Sequence, residues 1–565
     1  MKVKRNKSNV IVYLLLISFI LSFSVLIIRL YNLQIAKASL KTNLTNNLKK
    51  ISPLRGNIYL IDKYNNLFLA ATSYYLYDLY FYPPKSKNVN EEINNIIHLL
   101  PSEKRLTIPQ NLKSYNKSLI VAKNLTDEEK KQIESLKYDS VFFVEKVYRE
   151  YPLQDLLGTI LGFASLSNTT ALLEGKYGLE KYYDNILKGE VGYRDDFQTI
   201  ISPKKGADLI LNIDYYLQRK TTEILKSAIN DFKAQGGLII VAETQTGNIL
   251  AAAELPNYNP NKFFKEKDYS IFISRLSKNY EPGSVMKPFF YAGAFEENLV
   301  KPENTYEDKG YVILNGWKIE NFDKKGRGII DLKTALEQSL NTGSIYISQI
   351  LGKVRFLKCI EAFRLNNKAE VDFPILEEPN FKNLKDPGRE VNFGTASFGQ
   401  GIALSPFNLI QGFNAFANDG KITKLNFVKE IIYPNNLKKK IKPQTIGKAI
   451  NKKTIEMIVP ILEGVVHNQA KKARIKGFGI AGKTGSAQIP AAKETPENPT
   501  GYTDEAITTF IGFLPTSNPR YIILVRLDKP EKGLLAFGTA APTFRKVAEF
   551  LINYYTLEPD KFEEL

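Results

Sequence analysis

The sequence predicts an α+β protein with a single N-terminal transmembrane helix, an elongated mixed N-terminal module, and a C-terminal domain in which an antiparallel sheet packs with helices. Three observations carry this. Val10 to Ile28 is an apolar run of nineteen residues without a charge. The stretches 236–254 and 508–528 each read as two strands around a turn, with helical stretches between them. At 565 residues the chain is too long for one ordinary core, since single cores stop growing at about 250–300 residues. Hydrophobic content of 44% and charged content of 24% are globular values and exclude a disordered chain.

The run "VIVYLLLISFILSFSVLII" spans roughly 28 Å as a helix, about one hydrocarbon core. Lys2, Lys4, Arg5 and Lys7 precede it, and Arg29 and Lys37 follow within ten residues. The excess of positive charge before the run predicts a cytoplasmic tail over 1–9, an anchor over 10–28, and the bulk outside the cytoplasm. A cleaved signal peptide is the alternative. It fits less well, because an h-region is ~7–15 residues long and the A-x-A-like site at Ala36 to Ala38 lies beyond Arg29. Residues 29–50, polar and cationic, read as a stalk. The one cysteine, Cys359, excludes an intrachain disulfide.

Residues 51–205 form the mixed module. "NLFLAATSYYLYDLYFYPP" (66–84) is aromatic and strand-like and ends at Pro83 and Pro84. "LTDEEKKQIESLK" (125–137) has a helix start at Thr126 with acids in the first turn. A boundary falls near "SPKKGADLILNID" (202–214), where Pro and Gly precede a strand. The C-terminal domain occupies 206–557, and 558–565 is a tail. "GGLIIVAETQTGNILAAAE" (236–254) is a hairpin around a T-G turn. "TTFIGFLPTSNPRYIILVRLD" (508–528) is a second strand pair. "PTFRKVAEFLINYY" (542–555) is an amphipathic helix with proline at its start. Helical stretches such as "DLKTALEQSLNTGSIYISQIL" lie between, so the two strand pairs are expected to share one sheet.

The formal charge is +18. Solvated surface lysines account for it; contact with anionic lipid or an anionic polymer is the sharper reading. The runs "KKKIK" (438–442) and "KKARIK" (471–476) lack interleaved aromatics, and no nucleic-acid-binding signature is present, so no nucleic-acid partner is expected. His98 and His467 are the only histidines. With Cys359 they cannot build a zinc cluster of the usual spacing, and they leave little material for a Ser–His–Asp triad. Neither a metal nor a cofactor is expected.

Serine chemistry here therefore needs another base, and S-x-x-K pairs supply one. Three exist: Ser114 to Lys117, Ser202 to Lys205, and Ser284 to Lys287. Ser114 lies in a polar, loop-like stretch, and Ser202 is followed by Pro203. Only Ser284, in "EPGSVMK", precedes a helix-like run, and Pro288 fixes it in the first turn, where a missing N–H is tolerated. At i, i+3 the two side chains share a face. The helix N-terminus beside the serine suits a developing oxyanion. To act as base, Lys287 must be neutral, so its pKa must fall by ~3 units, which burial and a second cation nearby achieve.

That second cation is Lys483. "GIAGKTGSAQ" (479–488) holds the chain's only K-[S/T]-G and reads as an edge strand. Lys483, Thr484 and Ser486 suit a substrate carboxylate, and Gly485 permits close approach. "EQSLNTGS" (337–344) adds Ser339 and Asn341 as S-x-N, a spacing that also occurs at Ser86–Asn88 and Ser277–Asn279. The alternative for Ser339 and Asn341 is a helix cap.

S-x-x-K, S-x-N and K-T-G in this order resemble the signature of penicillin-binding proteins and serine β-lactamases. The resemblance covers nearly the whole chain. "LRGNIYLIDKYNNLFLA" (54–70), "YREYPLQDLLGTILGF" (148–163) and "GLEKYYDNILKGEVG" (178–192) resemble the N-terminal motifs of class B penicillin-binding proteins. "SFGQGIALSPFNLIQGFNAFANDG" (397–420) and "FGTAAPTF" (537–544) resemble their transpeptidase domain, which implies that fold for 206–557 and a pedestal or dimerisation-type, non-catalytic module for 51–205. "EPGSVMKPF" and "FIGFLPTSNPRYIILVRLDKP" look most like the division-specific (septal) members. The chain departs from the family pattern in three places: Ser486 stands for threonine, "SRL" (274–276) for N-R-A, and "DKYNN" (62–66) for D-R-N-G.

The resemblance implies a membrane-anchored D,D-transpeptidase that crosslinks peptidoglycan stem peptides and is inhibited by β-lactams. Ser284 would attack the penultimate D-Ala carbonyl and Lys287 take its proton. Ser339 would pass a proton to the leaving D-Ala, and Asn341 would bond the substrate backbone. Lys483 would tune the serine–lysine pair and, with Thr484 and Ser486, hold the terminal carboxylate. The N–H groups of Ser284 and Ser486 would form the oxyanion hole. Arg55 reads as a salt bridge within the module. A polytopic membrane glycosyltransferase and other division-machinery membrane proteins would be partners. The alternatives are an elongation-type transpeptidase, a D,D-carboxypeptidase or β-lactamase on the same scaffold, and a catalytically silent β-lactam-binding scaffold or sensor.

Overall fold

A computed structural model describes residues 15–27, 29–31, 48–109, 112, 115–167, 172–195, 199–374, 377–385, 389–491, 501–531 and 535–561. A helix covers 15–27 and 29–31, and its apolar side chains stand exposed, Phe19 at 71%. Among the described residues no helix is long and apolar enough to cross a membrane. The tail over 1–9, both ends of the expected anchor, most of the stalk, Ser114 and residues 562–565 lie outside the described residues.

In the N-terminal part, β1 (Ile58–Ile61) leads into β2 (Leu67–Phe81). The aromatic stretch is thus one long strand, and it stops before Pro83 as expected. α1 (Val89–Leu99), β3 (Leu119–Leu125), α2 (Asp127–Glu134) and β4 (Val141–Glu150) follow. β2 pairs with β1 at its start and with β3 and β4 further along. α2 begins at Thr126, whose hydroxyl accepts from Glu129 N while the Glu129 carboxylate accepts from Thr126 N, a full capping box. Tyr77, Leu79 and Phe81 bury against Ile93, Ile96 and Ile133 of the two helices.

Arg55 is fully buried and makes the salt bridge expected of it. Its Nε meets Glu180 Oε2 at 2.5 Å and its Nη1 meets Asp184 Oδ1 at 2.8 Å. Arg149 donates to the other Glu180 oxygen at 2.8 Å. Burial alone would raise the Glu180 carboxyl; Arg149 and Arg55 overcome this and hold it below its ordinary value. Removing Arg55 leaves the buried Glu180 with Arg149 alone and Asp184 without its guanidinium, and breaking a buried pair costs about 3–5 kcal/mol. Arg55→Ala is therefore expected to lower stability by that amount in chemical denaturation, with the effect shrinking as pH falls through the depressed Glu180 value.

The second half starts with β5 (Asp208–Asp214), capped directly onto α3 (Tyr215–Asp231) by the Asp214 carboxylate. β5 runs parallel to β1 and antiparallel to β8 (Val428–Ile432), which pairs with β9 (Lys438–Lys440). One seven-stranded sheet, in the order β9-β8-β5-β1-β2-β3 with β4 on β2, thus runs across the boundary expected at 205/206. The physical reason is local: β5 is buried along almost its whole length, so its backbone N–H and C=O groups need a strand on each side.

The five-stranded sheet is the one that positions the site. It contains β6 (Gly236–Glu243), β7 (Ile249–Leu255), β10 (Ala481–Pro490), β11 (Tyr502–Leu514) and β12 (Tyr521–Asp528), in the order β7-β6-β12-β11-β10. Every neighbour is antiparallel. Both expected strand pairs are present and share this sheet. Its central strands β6 and β12 read as nearly continuous apolar runs because both faces are covered. Ile239, Val241, Ile523 and Val525 face α3 and α8 (Ala540–Tyr555). Leu238, Ile240, Ile511 and Leu524 face the helices of the domain's main core, described next.

Candidate active site

Ser284 lies in a single 3-10 turn, Gly283–Met286, that feeds α4 (Lys287–Glu296) with Pro288 in the first turn. α4 is apolar all round and buried all round, as that composition requires. Phe290 stacks on Phe356 at 4.0 Å between ring centres, and Phe289 packs edge-on to Phe363 at 5.0 Å. This packing fixes Lys287, which is fully buried, while Ser284 is half-buried.

Ser339 and Asn341 come from a break that the sequence did not announce. "DLKTALEQSLNTGSIYISQIL" reads as one helical stretch. It is two helices, α5 (Leu332–Glu337) and α6 (Asn341–Ala362), separated by Ser339 with φ at +58°. A left-handed serine is strained and persists when its surroundings over-determine it. Here Lys287 Nζ donates to Ser339 O at 2.6 Å and to Asn341 Oδ1 at 2.9 Å, and lies 3.4 Å from Ser339 Oγ. Asn341 Nδ2 donates to Glu320 O at 2.9 Å.

The third wall is β10, the edge strand expected from "GIAGKTGSAQ". Lys483 is fully buried, and its Nζ donates to Ser339 Oγ at 2.9 Å and to Thr484 O at 3.1 Å. Ser339 Oγ thus lies between two lysines. Burial, and then the Lys483 charge, hold Lys287 well below its ordinary value. Burial alone brings Lys483 down to about 7. Both causes named from the sequence, desolvation and a second cation, act on Lys287.

Gly485 is the contact point between strand and turn. A Cβ there would lie 2.6 Å from Pro282 O and 3.1 Å from Val285 Cγ1. Ser486 is exposed, and its Oγ accepts from Ala536 N at 3.0 Å. Among the described residues Ser284 Oγ takes no hydrogen bond; the Lys287 amine is engaged with Ser339 and Asn341 instead. Such contacts are often loose without substrate.

Comparison with known proteins decides the family. Residues 237–549 match the penicillin binding protein transpeptidase domain, and residues 50–199 match the penicillin-binding protein dimerisation domain. The chain belongs to the class B penicillin-binding proteins. They are serine-type peptidoglycan D,D-transpeptidases. The chain is 28% identical to stage V sporulation protein D of Bacillus subtilis over 78% of this chain and 69% of that one. It is 27% identical to the peptidoglycan D,D-transpeptidase FtsI homolog of Mesostigma viride, over 97% and 96%. Penicillin binding protein 2X of Streptococcus thermophilus has the same fold, with a TM-score of 0.78 at 19% identity over 90% of this chain and 80% of that one.

In this penicillin-binding protein the structure joins Lys287, Ser339, Asn341, Lys483 and Thr484 by hydrogen bonds and sets Gly485, with Ser486 next to it, against the turn that carries Ser284. Sequence reading missed Gln469, which follows α7 (Lys452–Asn468) and accepts from Thr484 Oγ1 at 2.8 Å. No motif marks it. It also missed Glu281, although that residue stands inside the quoted "EPGSVMK". Gly485→Ala is expected to push β10 off the serine turn and to slow acylation by penicillin about 100-fold, the usual result of a 1 Å misplacement. Stopped-flow labelling checks this.

Proposed function

We propose that this chain crosslinks peptidoglycan stem peptides through an acyl-enzyme on Ser284, from a membrane anchor at 10–28, at the division septum. One observation carries the chemistry: Ser339 Oγ lies between the buried Lys287 and Lys483 at the head of the helix that presents Ser284. A neutral Lys287 amine keeps two N–H donors, enough for Ser339 O and Asn341 Oδ1, and one lone pair for the Ser284 proton. Ser284 Oγ then bonds the penultimate D-Ala carbonyl carbon. Collapse of the adduct expels the terminal D-Ala, which takes its proton through Ser339. The amine of a second stem peptide attacks the ester and gives a proton to Lys287, which passes it to the departing Ser284 Oγ, so the serine is released as a hydroxyl and Lys287 as a neutral amine.

Lys483, Thr484 and Ser486 hold the substrate's terminal carboxylate, and Asn341 bonds its backbone. β10 is an edge strand, so its outward N–H groups have no strand to pair with among the described residues. That of Ser486, with that of Ser284, serves the oxyanion, at about 3 kcal/mol per donor. A β-lactam enters the same way, opens on Ser284, and stays, because its leaving group remains tethered.

The exposed apolar helix over 15–27 supports the anchor reading. The septal part rests on "EPGSVMKPF" and "FIGFLPTSNPRYIILVRLDKP", and relatives bearing the FtsI name agree with it. A polytopic membrane glycosyltransferase supplies the glycan strands, alongside other division-machinery membrane proteins. Ser284→Ala is expected to abolish labelling by a fluorescent penicillin and to fail to support septal crosslinking; retained labelling sinks the assignment. A tagged copy is expected at mid-cell during division, and an even distribution along the side wall would replace the septal role with an elongation role.

A further inference from the structure

We propose that Glu281 is a positioning residue for acylation: with Tyr502 and the Gly401 backbone it forms a clasp that fixes the far end of β10 and β11 against the turn carrying Ser284. This rests on the reading of Ser284 as the nucleophile. Glu281 stands three positions before Ser284. Its Oε1 accepts from Gly401 N at 3.0 Å. The Tyr502 hydroxyl donates to Oε2 at 3.1 Å and lies 3.3 Å from Oε1. The three groups come from three separate places: the nucleophile turn, the loop at 397–401, and the first residue of β11.

The backbones around the carboxylate are in direct contact. Gly283 N donates to Gly399 O at 3.2 Å. A Cβ on Gly399, whose φ is +79°, would lie 2.2 Å from Gly283 O. On the other side Pro282 O touches the position a Gly485 Cβ would take, at 2.6 Å. Tyr502 pairs with Pro490, the last residue of the strand that carries Lys483 to Ser486. A carboxylate that gathers one donor from each wall of the turn therefore sets the gap between Ser284 and β10.

Stability alone does not explain a carboxylate here. Among the described residues Glu281 forms no ion pair, and burying an unpaired acid is costly. Burial drives it up to about 7, against the Gly401 and Tyr502 bonds that lower it. An apolar side chain would fill the same space without that cost. The carboxylate brings two acceptors with a fixed separation, one for the Gly401 N–H and one for the Tyr502 hydroxyl, and so ties the loop and β11 to the turn.

The test uses the full chain in detergent and a fluorescent penicillin as probe. Tyr502→Phe removes the hydroxyl donor and keeps the ring. Glu281→Gln keeps one acceptor and turns the other into a donor facing a donor. Each is expected to slow the limiting acylation rate at saturating probe about tenfold, with half-saturation and melting midpoint unchanged. The double variant is expected to be no slower than the slower single, because both remove one junction. Wild-type rates in both singles would overturn the clasp. So would losses that multiply in the double, or a fallen melting midpoint with the acylation rate intact. An unlabelled wild-type chain would overturn the Ser284 reading and the clasp with it, whereas a labelled wild type with equally fast variants overturns the clasp alone.

Discussion

Lys287→Met is expected to slow acylation of Ser284 by penicillin about a thousandfold while leaving the melting midpoint equal to or above that of the unchanged protein. The rate follows from the loss of a general base, which is worth about 10²–10⁴-fold. The stability follows from burial. Lys287 is fully buried with its pKa held well below 10.5, first by desolvation and then by Lys483. A lysine whose folded pKa is depressed works against folding at every pH below its unfolded value, and methionine removes that penalty. The donors lost to Ser339 O and Asn341 Oδ1 offset part of the gain. Lys287→Arg separates charge from basicity. Arginine keeps a cation but stays protonated, so it is expected to lose acylation as fully as methionine. Acylation within tenfold of normal in either variant would remove Lys287 from the role of base.

What was legible in the sequence is what short-range chemistry controls. Pro282, Gly283 and Pro288 mark a helix start, and Ser284 is on one. Gly485 marks a strand pressed against another backbone, and it touches Pro282 O. Thr126 followed by acids marks a capped helix, and the capping box is complete. The break at Ser339 was not legible. Neither glycine nor proline stands at Gln338, Ser339 or Leu340, and the left-handed backbone is held by Lys287 from 52 residues away. The clasp was hidden for the same reason. Glu281 meets Gly401 across 120 residues and Tyr502 across 221. The seven-stranded sheet was hidden too: β5 pairs with β1 and β8, strands far from it in sequence.

The pH profile of acylation should be a bell whose falling limb vanishes once donor peptide is bound. The two lysines share one cleft and titrate as a pair, so its apparent values belong to both. Lys287 carries burial plus the Lys483 charge, whereas Lys483 carries burial alone. As pH rises, the first proton therefore leaves Lys287, which becomes a competent base and gives the rising limb. The second leaves Lys483 near about 7. Its loss removes the cation that receives the substrate carboxylate and gives the falling limb of kcat/KM. A bound carboxylate beside Lys483 stabilises the ammonium and moves that loss upward. The limiting rate at saturating donor should then keep its rising limb and stay level to about pH 9, because it reports the complex rather than the free enzyme. Stopped-flow measurement of both constants from about pH 5 to about pH 9 checks the difference. Equal falling limbs in the two profiles would mean that Lys483 titrates without meeting the carboxylate, and its charge would then act on Lys287 and Ser339 alone.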